Sequence, residues 1–507
     1  MNLADLFFQR SLLHPQRLAL HVAGRSYSYL ELAALSCHVA EWVQARGRVE
    51  RVGILASRSL SAYAGLLGSC WAGKPFIYLA PSQPNAMLEA QLRLVRPQAL
   101  IVDGLGYRRL RRLSSDLRPR HVLDPQAEGG VVALCPGPGI RTPVCVDPRT
   151  IAFIMFTSGT TGEPKGAAVT VAGEAHYLRS MSRCYRLAPS DRLSQFFQMN
   201  IDLCLFDLFM ALNSGGSSFV VPESERMCPD SFIRRHSLTV WSSVPSVIHC
   251  LRQLDLLKPG RFRHLRLSLF CGEALSESAA RAWKAAAPRA RIENLYGTTE
   301  IAGTCLRQVY RDSSKLGHGR GIVPLGKPTA GMRALLWDID GRPVKGGKPG
   351  ELVISGPQLA AGYWQAPAYS RHRFIRSSGR GKPIRWYRTG DRCFQDRRGV
   401  FHYLGRIDRQ IKILGHRVEP ETVEAELKSL CRVNRVAVIA WPRQDGIAQG
   451  LKAFVAGRRL EPGWIKRSLA KRLPHYLVPR QIVLLPKLPS TANGKIDYRA
   501  LERISGR

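Results

Sequence analysis

Four clusters of residues have the types and spacing for chemistry on a nucleotide. The first is Phe156–Gly166, F-T-S-G-T-T-G-E-P-K-G, which sets Thr157, Ser158, Thr160 and Thr161 among Gly159, Gly162 and Gly166, with Lys165 near its end. Hydroxyls, bare backbone amides and an ammonium in one short loop suit the gripping of phosphate oxygens. The stretch departs from the standard P-loop, because Pro164 precedes the lysine and no Ser or Thr follows it. Taken alone it also reads as a Gly/Thr-rich surface turn. The second cluster, Asn294-Leu295-Tyr296-Gly297-Thr298-Thr299-Glu300, offers an amide, an aromatic face, two hydroxyls and a carboxylate. An aromatic face stacks on a purine, threonine hydroxyls hold a phosphate, and a lone carboxylate with substrate phosphates holds Mg²⁺. The competing reading is a strand-end turn in which Glu300 opens a helix. The third, Tyr387-Arg388-Thr389-Gly390-Asp391, places an aspartate after a glycine turn, where it can accept two hydrogen bonds from a ribose diol. A plain Gly-Asp turn competes. In the fourth, Pro489–Asp497, the turn at Asn493-Gly494 projects Lys495, which on its own reads as a solvated charge.

Clusters so far apart need a scaffold of several layers to bring them together. The 507 residues suffice for two or three domains with real cores. The apolar run Ile151–Phe156 predicts a short buried strand leading into the phosphate loop. Similar runs at Arg51–Leu55, Pro75–Leu79, Ala99–Val102, Ser218–Val221, Leu267–Phe270 and Arg291–Asn294 alternate with amphipathic segments. This texture predicts an α/β fold with mainly parallel strands. Around Gly350–Leu404 short strands between glycine-rich turns predict a small barrel-like or sandwich part. Past the polar turn Gly405–Gln410, a compact segment carries a predicted helix at Pro420–Leu430 and strands at Val436–Ile439 and Leu451–Val455. The predicted organisation is a large domain over 1–404 and a small α+β domain over 405–507.

Composition narrows the function classes. Apolar residues make up 45%, and no segment approaches the roughly 18 uninterrupted apolar residues of a membrane helix. The N-terminus lacks the pattern of a secretory signal, and the twelve cysteines show neither a C-x-x-C pair nor metal-ligand rhythm. Reduced thiols in a cytoplasmic enzyme are expected. The formal charge of +37 is the oddity, and it raises a nucleic-acid-binding alternative. No basic stripe with interleaved aromatics, zinc spacing or RNA-binding motif accompanies it. A basic surface attracting an acidic partner over long range is the preferred reading.

Together the clusters resemble one family, the adenylate-forming enzymes that include acyl-CoA synthetases and nonribosomal peptide synthetase adenylation domains. The resemblance runs in order through Ser26–Leu32, the phosphate loop, Asn294–Glu300, Gly350-Glu351-Leu352 with Gly362-Tyr363, Tyr387–Asp391, Gly405–Lys412 and Asn493-Gly494-Lys495. Tyr78-Leu79-Ala80-Pro81 departs from it, with alanine where the family usually has aspartate. The resemblance implies ATP and Mg²⁺ as cofactors and two half-reactions: adenylation of a carboxylate, then transfer to a thiol. It assigns ATP binding to Thr157, Ser158, Gly159, Thr160, Thr161, Gly162, Lys165, Gly272, Glu273, Ala274, Asn294, Tyr296, Gly297, Thr298, Thr299, Asp391, Arg406 and Lys495. Glu300 would hold Mg²⁺, and Lys495, Lys165 and Thr299 would act on the reacting phosphate. The family rotates its small domain between half-reactions, which makes Asp408 the hinge. Rotation withdraws Lys495 and brings in the face of Lys412–Gly415 to line a thiol tunnel.

The acid is addressed by Asn200–Phe209, which resembles the segment that sets an aspartate against the substrate ammonium in amino-acid-activating members. Asp202 falls at that aspartate. A carboxylate in an apolar pocket needs a cationic partner, which an α-amino group supplies. The competing reading is Asp202 as a turn or helix-cap residue. The resemblance implies a pocket of Leu203, Phe206, Ser242, Leu269, Cys271, Leu295, Gly303 and Thr304. Among these positions only Asp202 and the ligand-gripping Lys495 are charged, so charged substrate side chains are excluded. The segments Trp241–Ser246 and Leu269–Glu273 look similar to the D-alanine–carrier-protein ligases. The expected substrate is alanine, followed by glycine, proline, serine or cysteine. The chain ends twelve residues after Lys495, so the expected acceptor is a separate acidic phosphopantetheinylated carrier protein, with free coenzyme A competing. The enzymatic alternative is an acyl-CoA synthetase for a small carboxylic acid.

Overall fold

The computed structural model describes all residues except 128–140, 158–163, 312–320, 345–346, 378–382, 414, 445–446, 458–459, 491–495 and 506–507. The expected α/β class is the observed one. A nine-stranded sheet has a parallel centre built from strands 267–270, 240–243, 192–195, 217–220 and 18–22. Strand 291–298 extends this parallel array, while 303–309, 327–328 and 25–28 add antiparallel edges. A seven-stranded sheet runs 362–363, 165–170, 151–157, 76–78, 52–55, 99–102 and 121–123, parallel from 151–157 onward. Its central strands 52–55, 76–78 and 99–102 are buried throughout, as parallel strands covered on both faces require.

Local signals start and stop the helices that cover these sheets. Helix 29–45 begins at a capping box: the Ser28 side chain accepts from the Glu31 amide, and Glu31 accepts from the Ser28 amide. Helix 203–214 ends at Gly215, whose φ of +81° gives the left-handed terminus that glycine allows.

The stretch expected to be barrel-like is instead an open antiparallel sheet. Strands 333–337, 350–355, 385–395 and 374–376 lie in that order, and 401–406 also pairs with 385–395. Among the described residues it does not close on itself. Its longest strand carries a bulge, since Glu351 pairs Arg392 while Val353 pairs Arg388.

The last hundred residues form a separate apolar cluster, with Ile413, Val423, Leu427, Val436, Val438, Leu451 and Ile465 at its centre. A three-stranded sheet of 436–440, 451–456 and 481–485 is backed by helices 420–431 and 462–470. Ahead of it a hairpin, 411–413 with 416–418, reaches back toward the large sheets. No helix among the described residues is long and apolar enough to cross a membrane.

Candidate active site

The phosphate loop is framed by two antiparallel strands whose backbones still pair at Thr157 and Lys165. The loop's own candidates Ser158, Gly159, Thr160, Thr161 and Gly162, and the Thr157 side chain, lie outside the described residues. Lys165 is buried, and its Nζ sits 3.5 Å from the centroid of the Tyr369 ring. The ring's negative face holds the ammonium at the strand end. Lys495 also lies outside the described residues.

Where strands 267–270 and 291–298 end, a cavity of about 770 Å³ opens toward the C-terminal segment. It gathers Gly272, Glu273, Ala274, Asn294, Leu295, Tyr296, Gly297, Arg406, Asp408 and Lys412 from the expected set. Carboxyl ends of parallel strands are where such folds bind ligands. The Tyr296 hydroxyl donates to Asp391 Oδ2. Asp391 Oδ1 accepts from Arg406 Nη1 at 2.9 Å. Arg406 Nε donates in turn to Asp408 Oδ1 at 2.8 Å, joining the expected ribose ligand to the expected hinge. Asp391 is not in a turn: Thr389–Asp391 form the bulge of strand 385–395, which re-aims the carboxylate. The Asn294 amide is already engaged by the chain, donating to the carbonyls of Val323 and Pro324 at 3.1 and 2.8 Å.

Glu300 sits in a one-turn 3-10 helix at 299–301 and is 1% exposed. Its Oε1 accepts from the Tyr363 hydroxyl at 2.7 Å, and Arg417 Nη1 lies 3.0 and 3.3 Å from its two oxygens. Burial alone would raise its pKa, but Arg417 and Tyr363 hold it down at about 2. A permanently ionised carboxylate beside Thr299 and the phosphate-loop strands suits Mg²⁺, which takes one or two carboxylates plus phosphate oxygens. Among the described residues no cluster of three or more His, Cys, Asp or Glu forms a dedicated metal cage, and Mg²⁺ of this kind requires none.

Asp202 precedes helix 203–214 with helical dihedrals, yet its side chain makes no capping hydrogen bond. Its Oδ2 is buried with no hydrogen-bond partner among the described residues. Burial pushes its pKa up to about 6, the Leu203 amide opposing and the Glu300 charge adding to the rise. Leu203, Phe206, Ser242, Leu269, Cys271, Leu295 and Thr304 are all buried near these strand and helix ends. Burial pushes the Cys271 thiol up to about 12, so it stays a neutral thiol. Ser242 turns its hydroxyl against the buried Asp207 carboxyl.

Several residues here were not anticipated. Tyr177 donates to Thr304 Oγ1 at 3.1 Å and packs its ring 5.5 Å from that of Phe206. A Cβ on Gly303 would meet the Tyr177 ring at 2.4 Å, so the aromatic closes that side. Glu174, on the same helix, is 2% exposed, and its pKa is raised by burial and by the Asp202 charge. Arg417 is the third. Lys412 and Arg417 are cross-strand partners in the hairpin, so the pairing register was the signal that placed Arg417 on the face assigned to Lys412.

The strand ends, the nucleotide-sized cavity and the buried carboxylates define an adenylate-forming fold, and the chain belongs to the AMP-binding enzyme family. That family matches residues 7–364, and the AMP-binding enzyme C-terminal domain matches 422–495. The chain is 30% identical to tyrocidine synthase 3 of Brevibacillus parabrevis over all of its own length, but it spans only 8% of that protein. Its fold is similar to the Vibrio cholerae adenylation domain AlmE in complex with glycyl-adenosine-5'-phosphate. The TM-score is 0.86 at 28% identity, covering 100% of this chain and 98% of that one. It is also similar to PA1221, an NRPS protein containing adenylation and PCP domains, with TM-score 0.81 at 25% identity, covering 99% and 84%.

Proposed function

We propose that the chain activates a small neutral amino acid with ATP and Mg²⁺ and passes the aminoacyl group to the thiol of a separate carrier protein. The observation that carries the reading is the buried Oδ2 of Asp202, which has no hydrogen-bond partner among the described residues. A carboxylate kept in an apolar site without a cation is costly, and a substrate ammonium removes that cost. Tyr177, packed against Gly303 and bonded to Thr304, limits a substrate side chain there to a short one. Alanine leads, with glycine, proline, serine and cysteine next. The glycyl-adenosine-5'-phosphate in complex with AlmE and the PCP domain of PA1221 agree with a small amino acid and a carrier.

In the first step a substrate carboxylate oxygen attacks the α-phosphorus, the bond to the bridging oxygen breaks, and pyrophosphate leaves. Attack of one anion on another needs charge cover and positioning more than proton transfer. Lys165 and the phosphate loop would hold the β and γ phosphates, and Thr299 the α-phosphate. Tyr296 and the Gly272–Ala274 backbone would seat adenine, with Asp391 on the ribose. Mg²⁺ at Glu300 would supply charge neutralisation of the phosphates. Lys495 would bridge the substrate carboxylate and the α-phosphate oxygens. In the second step thiol sulfur attacks the acyl carbon, the bond to the AMP oxygen breaks, and the thiol proton goes to solvent. Residues 405–507 would move as a small domain about Asp408, bringing Lys412 and Gly415 to the thiol path. The cytoplasm is the proposed setting, and the basic surface is the proposed dock for an acidic carrier.

The test is ATP–pyrophosphate exchange with a panel of glycine, both alanine enantiomers, proline, serine, cysteine and small plain acids. Exchange led by one small amino acid is expected. Exchange with a plain acid alone would move the assignment to an acyl-CoA synthetase.

A further inference from the structure

The hairpin 411–418 is held to the large sheets through two carboxylates. The Gly415 amide donates to Glu273 Oε1 at 3.0 Å, with Gly415 and Gly272 so close that a Cβ on Gly272 would lie 3.6 Å from the Gly415 Cα. Arg417 Nη1 spans both oxygens of Glu300 at 3.0 and 3.3 Å. Lys412 and Arg417 are directly opposed across the hairpin, an arrangement of like charges that costs stability unless acids face it. Glu273 and Glu300 are those acids.

Glu300 thus has its own cation, delivered from 117 residues away in sequence. Tyr363 already occupies Oε1, and Arg417 reaches both oxygens, so a guanidinium seated this way competes with a divalent ion for the carboxylate. A metal at Glu300 would set a second cation beside Arg417, whose other acid is Glu419 at 4.0 Å.

We infer that Arg417 is a positioning residue that replaces Mg²⁺ on Glu300, so that the hairpin seats only after the metal has left with pyrophosphate. Seating the hairpin puts Lys412 and Gly415 on the thiol path, which makes the second half-reaction conditional on completion of the first. This rests on the adenylation reading above. It goes beyond that reading by naming the pair of cations that exchange.

Hydrogen exchange on the full chain tests it, comparing adenosine 5′-(α,β-methylene)triphosphate with EDTA against the same nucleotide with MgCl₂. Metal is expected to speed exchange at residues 411–418 about tenfold while helix 420–431 stays protected. In Glu300→Gln the hairpin should exchange fast with or without metal. Arg417→Ala should lower thiol transfer about tenfold more than it lowers pyrophosphate exchange, and Arg417→Lys should restore part of the transfer rate. Hairpin protection indifferent to metal in the wild-type chain would overturn the proposal, as would equal losses in both half-reactions for Arg417→Ala. If no amino acid supports exchange, the adenylation reading fails, while the metal response of the hairpin remains readable on its own.

Discussion

Two buried carboxylates close to one another follow opposite rules. Glu300 has its cation within the chain and is held ionised at about 2, whereas Asp202 has none among the described residues and rises to about 6. Both are almost inaccessible, at 1% and 9% exposure. Burial raises both, so desolvation does not separate them; the presence of Arg417 does. A carboxylate completed by the protein can serve a step in which its cation is exchanged. One left incomplete is poised for a ligand that brings the charge. That difference is the physical basis for placing metal at one and ammonium at the other.

The comparison breaks most sharply at Asp202. Asp202→Asn should cut kcat/KM for amino-acid-dependent pyrophosphate exchange by about 10² to 5 × 10³, because losing one partner of a buried pair costs about 3–5 kcal/mol. An Asp202 that merely caps a helix would lose far less. The pH profile sharpens the same point. The carboxyl must be ionised to receive an ammonium, and its value in the free protein is about 6. Steady-state kinetics should show kcat/KM for the amino acid falling about tenfold per unit below that pH. Gly303→Ala probes the wall: the new methyl meets the Tyr177 ring at a residue with φ of +90°. Overpacking of this kind should lower stability by about 1–3 kcal/mol in urea melts and raise KM for the amino acid.

The smallest effect is at Glu174, raised above its ordinary 4.5 by burial and then by Asp202. The unfolded chain releases this proton near 4.5 while the folded chain keeps it, so its contribution to stability falls as pH rises. Thermal melts should show Glu174→Gln gaining on the wild type between about pH 4 and about pH 7.

Much of the scaffold was legible because apolar runs and turn residues are local signals. Ala99–Val102 and Leu267–Phe270 form the strands read from their composition, and the helix expected from Pro420 runs to Cys431. Asp202 was singled out by its flanks, and the structure adds that it is buried and makes no capping hydrogen bond. What escaped depended on partners distant in sequence. An acid in the first turn of a helix, as Glu174 is, looks like a partner for the helix dipole, and nothing local shows that it is buried. Arg417 reads as a surface charge until the hairpin meets Glu300. The Gly390-Asp391 turn became a bulge because strand 350–355 pairs on both sides of it. Short strands between glycine turns do not state whether a sheet closes, and among the described residues this one stays open.

The most direct measurement compares the best amino acid of the panel with its desamino analogue, in the wild type and in Asp202→Asn. If Asp202 receives the ammonium, the wild type will prefer the amino acid by about 10² or more in pyrophosphate exchange, and the variant will lose that preference. A preference that survives intact in Asp202→Asn, or a desamino acid used equally well by the wild type, would contradict it.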